Sequence, residues 1–201
     1  MPARQLADYI KVYDKTLSPA QCEVLIDRFE ACPTQHELVQ LDVGGDGIYR
    51  FVMLNVTTYW PDVDRQIWPI IRNCVYQYHE TLGLRRYWPV NASVEPIRLK
   101  RYLPNGQDRF DPHVDVLNKT NCDRFVTAIL YLNVPGGGET VFPDLDLAIK
   151  PEPGRIVVFP ALWTFVHAGL PPRDHPKYIL HTYLLYPSPP NPAPTPLTNS
   201  N

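Results

Sequence analysis

Two residues at alternating positions, His113 and Asp115, form the pattern in this sequence that most directly suggests chemistry. Successive side chains of an extended segment point to opposite faces, so an imidazole and a carboxylate two residues apart share one face. Both groups are common ligands of transition metals. A metal site built on this pair needs a further ligand from another part of the chain.

Three histidines downstream are candidates for the third ligand: His167, His175 and His181. His167 follows the apolar strand predicted at residues 155–160, whereas His175 lies in a loop of prolines and charged residues. We therefore predict that His167 completes the site. Two histidines and one carboxylate leave three coordination positions open, which suits Fe(II) with a bidentate cosubstrate and dioxygen. Zinc more often prefers a closed site or a tetrahedral one with a single water.

A lysine at the start of an apolar strand is the second unusual feature. Lys177 opens the run that continues to Tyr186. On the inward face of a sheet its charge would be costly to bury unless an anion paired with it, and a dicarboxylate cosubstrate would supply that anion. The alternative is that Lys177 only protects a strand edge from pairing.

Short β-rich segments separated by Gly, Pro and Asn dominate the chain from about residue 94. Closely spaced strands without helices between them are typical of a sandwich or barrel, so we predict a mainly β fold with flanking helices. The predicted strands cover residues 94–102, 124–134, 140–142, 155–160, 164–168 and 177–186.

The first part of the chain carries helical patterns. The capping sequence Ser18 to Gln21 starts one amphipathic helix, which ends at Pro33. A second helix is predicted over residues 62–82, interrupted at Pro69 and closed by Gly83. We expect these two helices to cover one face of the sheet.

Two further segments are predicted from their composition. Residues 37–43 and 48–56 form a hairpin around the glycine-rich turn 44–47, and the glycines would permit this turn to move as a lid over a substrate. The proline-rich residues 187–201 are predicted to form an extended tail.

Composition disfavours several classes of protein. Of 201 residues, 44% are apolar and 20% are charged, as in a globular domain. The net charge of -2 provides no general positive field for nucleic acid. No apolar run approaches the roughly 20 residues that span a bilayer, and the N-terminus lacks an apolar leader. We therefore expect neither a nucleic-acid-binding nor a membrane protein, and predict a cytoplasmic location.

Several motifs follow one another between residues 97 and 186 in a consistent order and spacing. They are Arg98-Leu99-Lys100-Arg101-Tyr102 with Asn105-Gly106, His113-Val114-Asp115, the run Arg124 to Leu132, Gly137-Gly138-Glu139-Thr140-Val141-Phe142-Pro143, Pro153-Gly154-Arg155 continuing to Phe159, and His167-Ala168-Gly169 with Lys177. Together they resemble the Fe(II)/2-oxoglutarate-dependent dioxygenases, most closely the prolyl 4-hydroxylase-like branch.

The resemblance implies a fold and a metal. The fold is a double-stranded β-helix, a jelly-roll, cupin-like core at about residues 96–186, supported by helices and a hairpin in residues 1–95, so that one domain spans residues 1–186. The resemblance also implies that His113, Asp115 and His167 bind Fe(II).

Further residues receive roles from the same resemblance. Lys177 would hold the distal carboxylate of 2-oxoglutarate, with Tyr102 and Thr140 as hydroxyl partners of this cosubstrate. Arg173 is a rival anchor, ranked lower because an acidic residue follows it. Arg124 and Tyr183 correspond to positions near the substrate; the alternatives are a salt bridge for Arg124 and core packing for Tyr183.

The implied activity is hydroxylation of a peptidyl proline, with decarboxylation of 2-oxoglutarate to succinate and carbon dioxide. It uses dioxygen, with ascorbate as a candidate reductant, and needs no catalytic side chain beyond the metal ligands. Asp115 favours hydroxylation, since related halogenases have a small residue at this position. Three alternatives stay open: the same chemistry on a free amino acid or small metabolite, oxidative demethylation of nucleic acid, and a non-catalytic jelly-roll module that binds metal or peptide.

Overall fold

The computed structural model describes residues 4–42 and 48–187 of the chain. The predicted lid at residues 44–47 and the tail after Pro187 lie outside the described residues and stay predictions. The α-helices are α1 (Pro19–Glu30), α2 (Val56–Tyr59) and α3 (Pro61–Thr81), and short 3-10 helices lie at Leu6–Tyr9, Pro33–Gln35, Arg85–Tyr87 and Pro143–Leu145.

Twelve strands form one antiparallel sheet in the described part of the chain. They are β1 (Lys11–Tyr13), β2 (Glu37–Asp42), β3 (Ile48–Asn55), β4 (Ser93–Val94), β5 (Arg98–Tyr102), β6 (Arg109–His113), β7 (Arg124–Tyr131), β8 (Thr140–Phe142), β9 (Leu147–Ile149), β10 (Arg155–Pro160), β11 (His167–Gly169) and β12 (Lys177–Leu185). Their spatial order is β1-β10-β7-β12-β5-β3-β6-β11-β8-β9, while β2 pairs with β3 and β4 pairs with β12.

The sheet curls on itself. Phe142 of β8 and Phe159 of β10 lie near opposite ends of the strand order, yet their ring centroids are 4.9 Å apart. Both belong to one buried cluster with residues of the central strands, including Tyr102, Tyr131 and Ile179. A sheet whose two ends share an interior is a jelly roll, so the predicted fold class is confirmed.

The two longer helices cover the outer face of this curled sheet, as predicted. Leu25 and Phe29 of α1 and Ile67 and Ile71 of α3 are buried in a second cluster with apolar residues of β5, β7, β10 and β12. The capping of α1 is also as predicted, since the backbone N–H of Ser18 donates to the side chain of Gln21 and the Ser18 hydroxyl accepts from the Gln21 N–H.

The predicted interruption of α3 at Pro69 is wrong, because the helix continues through this residue. Pro69 lies on the exposed side, while Ile67 and Ile71 stay buried on the opposite side. Burial of that apolar face outweighs the one backbone hydrogen bond that proline removes. The predicted end is confirmed: Gly83 has a φ of +60°, and the next N–H bonds the carbonyl of His79 at 2.8 Å.

The strand predictions fail at positions that matter for the site. Residues 94–102 divide into β4 and β5, and residues 164–166 lie outside β11, which starts only at His167. β6 and β9 were not predicted. β6 contains Pro112 and charged residues, and it forms through its pairing with β3 and β11 rather than through its own propensity.

None of the described helices combines the length and the apolar character that a membrane span requires.

Gly154 supports the junction between the sheet and α1, and its replacement by alanine should destabilise the protein. Its φ is +74°, and an added Cβ would lie 2.1 Å from the carbonyl oxygen of Leu17. We expect Gly154→Ala to lower the free energy of unfolding by ~3 kcal/mol or more. Gly106 is the control, with a φ of +70° and nothing within 4 Å, so Gly106→Ala should cost ~1 kcal/mol. Equal losses in urea unfolding would contradict this interpretation.

Candidate active site

The structure brings His113, Asp115 and His167 together inside the curled sheet. His113 ends β6, and His167 begins β11 directly opposite it. One ligand atom of each residue lies within 4.8 Å of the others. The Nε2 atoms of both histidines lie 3.7 Å from the Asp115 carboxylate, and the three side chains are at most 7% exposed. Three convergent donors at these distances leave room for one cation between them.

Backbone carbonyls fix the orientation of both histidines. His113 Nδ1 lies 2.9 Å from the carbonyl of Asp111, and His167 Nδ1 lies 3.0 Å from that of Phe165. A carbonyl only accepts, so each Nδ1 carries the proton and each Nε2 presents a lone pair to the centre. Burial, with a contribution from His167, lowers the pKa of His113 to about 3. His113 is therefore neutral near pH 7, as a ligand must be.

Two hydroxyl groups hold the carboxylate of Asp115. Thr127 Oγ1 donates to Oδ2 at 2.6 Å, and the Tyr183 hydroxyl donates to Oδ1 at 2.8 Å. Burial alone would raise the pKa of Asp115, but the two histidines and these hydroxyls lower it below its ordinary value. The carboxylate is therefore ionised and held in one orientation before any metal binds.

Tyr183→Phe should weaken metal binding by about 10- to 100-fold, because it removes one of the two hydroxyls that orient Asp115. Competition titration with a metal chelator would measure this loss. Tyr87→Phe is the control, since that side chain is 71% exposed. Equal metal affinities of the two variants would show that the Tyr183 hydroxyl does not support the ligand.

Lys177 lines the same cavity as the three donors and is 2% exposed. Its Nζ lies 5.3 Å from the ring centroid of Tyr102 and 5.8 Å from that of Tyr131. Within residues 4–42 and 48–187 its ammonium group has no hydrogen bond or ion pair, and burial lowers the pKa of Lys177 to about 7 despite the opposing charge of Glu139. A buried cation without a partner is the arrangement expected of an anion-binding group.

The predicted hydroxyl partners of a cosubstrate line the same cavity as Lys177. Tyr102 lies opposite it in the β5–β12 pair, and both Tyr102 and Thr140 line the cavity. Thr140 Oγ1 accepts a hydrogen bond of 2.6 Å from the hydroxyl of Tyr131, a buried residue that sequence reasoning missed. The rival anchor Arg173 is exposed and does not line the cavity.

Arg124 is held by other residues of the protein. Its guanidinium forms two hydrogen bonds to Glu95, at 2.6 and 3.1 Å, and a third to the carbonyl of Asp115 at 3.1 Å. It also lies 3.8 Å from the ring centroid of Tyr183. This is the salt-bridge alternative, with Glu95 as the partner, and the substrate roles of Arg124 and Tyr183 stay predictions.

Sequence reasoning also missed part of the cavity wall. Phe110 stacks on the ring of His113, with a centroid distance of 3.6 Å and an interplanar angle of 6°. Lys100 lines the cavity as well and is 6% exposed. His181, a candidate for the third ligand, also lines the cavity but is not one of the three convergent donors. The available signal for Lys100 was its position two residues before Tyr102, which places both on one face of β5.

Residues 97–185 match the family model of the 2OG-Fe(II) oxygenase superfamily. These residues form a 2OG-Fe(II) oxygenase domain. The match includes the three convergent donors and Lys177, and the resemblance found in the sequence is confirmed. Comparison of the whole chain with curated protein sequences gives no significant match.

Solved structures share the fold of this chain. Viral collagen prolyl hydroxylase from Paramecium Bursaria Chlorella virus-1, as its 2OG complex, is 24% identical with a TM-score of 0.60, over 90% of this chain and 97% of the viral one. A prolyl-4-hydroxylase of Pseudomonas putida is 16% identical with a TM-score of 0.64, over 88% and 92%. A prolyl hydroxylase from Trichoplax adhaerens, in complex with a hypoxia inducible factor peptide fragment, is 17% identical with a TM-score of 0.66, over 88% and 83%.

Proposed function

We propose that this protein is an Fe(II)- and 2-oxoglutarate-dependent dioxygenase that hydroxylates a proline residue of a peptide. One observation carries the proposal: a buried set of two histidines and a carboxylate shares a cavity with the unpaired cation of Lys177. Prolyl hydroxylases with the same fold support proline as the target, and one of them was solved with a peptide fragment.

The residues present fit the metal and the cosubstrate. His113, Asp115 and His167 would hold Fe(II), whose ligands are typically imidazole and carboxylate in enzymes of this type. Lys177 would bind the distal carboxylate of 2-oxoglutarate, beside the hydroxyls of Tyr102 and Thr140. Bound Fe(II), with 2-oxoglutarate and dioxygen, supplies the oxidant that hydroxylates a C–H bond, and the cosubstrate leaves as succinate and carbon dioxide.

The side chains of this site bind, orient and exclude water rather than transfer protons. Thr127 and Tyr183 fix the carboxylate of Asp115, and backbone carbonyls fix the two histidines. Phe110 covers one face of the His113 ring and keeps water from that ligand. The carboxylate of Asp115 among the three ligands supports hydroxylation over halogenation.

Several finer predictions accompany this proposal. A single domain over residues 1–186, a cytoplasmic location and a need for ascorbate stay predictions made from the sequence. The same applies to the mobile lid at residues 44–47. Its deletion should raise the KM of the substrate far more than that of 2-oxoglutarate if the turn closes over the substrate.

The test is succinate formation by the protein reconstituted with Fe(II), 2-oxoglutarate and ascorbate, with and without peptides containing proline and with free proline. Mass spectrometry would identify the product. Succinate that increases with a peptide, together with a gain of one oxygen atom on its proline, is the expected result. Basal succinate without a response to proline would overturn the proline assignment, and no succinate under any condition would overturn the dioxygenase.

A second candidate is the same chemistry on a free amino acid or small metabolite. The observation that favours it is a second buried cation, Lys100, in the same cavity.

A further inference from the structure

Lys100 is a buried charge that the proposed chemistry does not use. It is 6% exposed, and its Nζ lies 4.8 Å from the ring centroid of Phe51 and 5.7 Å from that of Phe110. The described parts of the chain give its ammonium group no hydrogen bond and no ion pair. Contacts with aromatic faces offset only part of the cost of burying a cation. An anion that enters the cavity would offset the rest.

The sheet places Lys100 beside the cosubstrate lysine. On β12 its direct partner is Ile179, so Lys100 lies diagonally between Lys177 and His181 on the inward face. The ring of Phe110, which lies 5.7 Å from Lys100 Nζ, also stacks on the ring of the metal ligand His113. An anion bound by Lys100 therefore lies close to the metal, where the oxidised carbon of a substrate must also be.

His181 is the second group on this part of the wall. It is 6% exposed, and its ring meets the Tyr183 ring edge-on at 4.4 Å. No hydrogen bond to its ring nitrogens is found in the ranges that the structure describes. Burial lowers the pKa of His181 well below its ordinary value, so the ring is neutral and offers one N–H donor. Lys100 and His181 together present a charge and a donor to the same region.

The formal charges show which anion the site lacks. Among the groups that line the cavity, Lys177 brings one positive charge and Asp115 one negative charge, and Fe(II) would bring two positive charges, so the dianion 2-oxoglutarate would balance them. Glu139, whose charge acts on Lys177, does not line the cavity. Lys100 adds a further positive charge. One further carboxylate would pair with this charge, and a substrate that has a free carboxylate is the simplest ligand that supplies it.

We propose that Lys100, assisted by His181, binds a free carboxylate of the substrate itself, so that the substrate is an amino acid or a C-terminal residue rather than an internal residue of a peptide. The carbonyl of an internal residue accepts a hydrogen bond but carries no charge to pair with Lys100. This inference rests on the proposed function, because it takes the metal and cosubstrate sites as given. It narrows the substrate to the C-terminal residue of a peptide, within the proposed function, or to the members of the second candidate class that have a carboxylate.

The test measures binding without turnover. Zn(II) replaces iron, and 2-oxoglutarate is first titrated into the protein by calorimetry. The resulting ternary complex is then titrated with free L-amino acids, including proline, and with their amides. Proline peptides that end in either a carboxylate or an amide are titrated in the same way. We expect at least one free acid to bind about tenfold or more tightly than its amide. If a peptide that ends in a carboxylate also binds more tightly than the same peptide with a C-terminal amide, the substrate is the C-terminal residue of a peptide. If only free amino acids show this difference, the substrate is a free amino acid.

Lys100→Met keeps the length and the apolar packing of the side chain but removes the charge. It should abolish the preference for acid over amide and leave the Kd of 2-oxoglutarate within about threefold of wild type, which also shows that the variant folds. Lys119→Met, at an exposed lysine, is the control and should behave as wild type.

Three results would overturn the inference. If Lys100→Met weakens 2-oxoglutarate binding about tenfold or more, Lys100 serves the metal-side carboxylate of the cosubstrate. If acids and amides bind wild type equally, or no acid binds, the site does not select a carboxylate. If wild-type protein fails to bind 2-oxoglutarate at all, the proposed function fails and this inference fails with it, so the two failures are distinguished in the first titration.

Discussion

His167→Ala should abolish succinate formation that depends on Fe(II) and 2-oxoglutarate. His167 is one of three convergent donors, and its Nε2 lies 3.7 Å from the carboxylate of Asp115. Loss of a residue that only orients a ligand typically costs 10- to 100-fold in metal affinity or activity. Loss of the ligand itself should cost more, ~10³-fold or greater. Mass spectrometry of succinate and titration with Zn(II) measure the two effects separately.

His175→Ala is the matched control, because His175 is exposed in the loop before β12. It should leave both turnover and metal affinity at wild-type values. Thermal unfolding of the metal-free proteins distinguishes loss of the site from loss of the fold, since His167→Ala should unfold cooperatively near the wild-type temperature. Full activity of His167→Ala together with an inactive His175→Ala would show that the third ligand was assigned to the wrong histidine.

The ligand set could be predicted from the sequence because its spacing has a simple geometric meaning. A histidine and an aspartate two residues apart share a face in any extended segment, whatever the rest of the fold does. The strand that carries His113 could not be predicted in the same way. Pro112 and charged neighbours give β6 little strand propensity, and the strand exists because β3 and β11 pair with it on both sides.

Contacts between residues that are far apart in the sequence also explain why the surroundings of Arg124 and Lys100 could not be predicted. The partner of Arg124 is Glu95, on a segment 29 residues earlier, and no local pattern connects the two. Lys100 looks like a surface residue in Arg98-Leu99-Lys100-Arg101-Tyr102, where basic side chains occupy both faces of the strand. Its burial follows from the curling of the sheet, which encloses one face and leaves the other face to the helices and solvent.

Lys177→Met should weaken the binding of 2-oxoglutarate by ~100-fold or more, since removing one partner of a buried charge pair typically costs 2–5 kcal/mol. The same variant should stabilise the protein without ligand, because methionine fills the space without a buried, unpaired charge. We expect a gain of ~2–4 kcal/mol in the free energy of unfolding at pH 7. Calorimetry with the Zn(II)-loaded protein and urea unfolding of the metal-free protein measure the two opposite effects.

The pH dependence of this gain follows from the pKa of Lys177, which burial lowers from 10.5 to about 7 in the folded protein. Between pH 7 and 10.5 the unfolded chain binds more protons at this lysine than the folded chain does, so wild-type stability rises with pH over this range. The stability difference between variant and wild type should therefore be largest at or below pH 7 and shrink toward pH 10. The charge of Lys100 contributes to the lowered pKa of Lys177, so repulsion between the two lysines is part of this difference. Lys150→Met, at an exposed lysine, should show neither the gain nor the loss of 2-oxoglutarate binding. A constant stability difference from pH 7 to 10 would mean that Lys177 keeps its ordinary pKa and its charge in the folded protein, which would contradict the burial of an unpaired ammonium group.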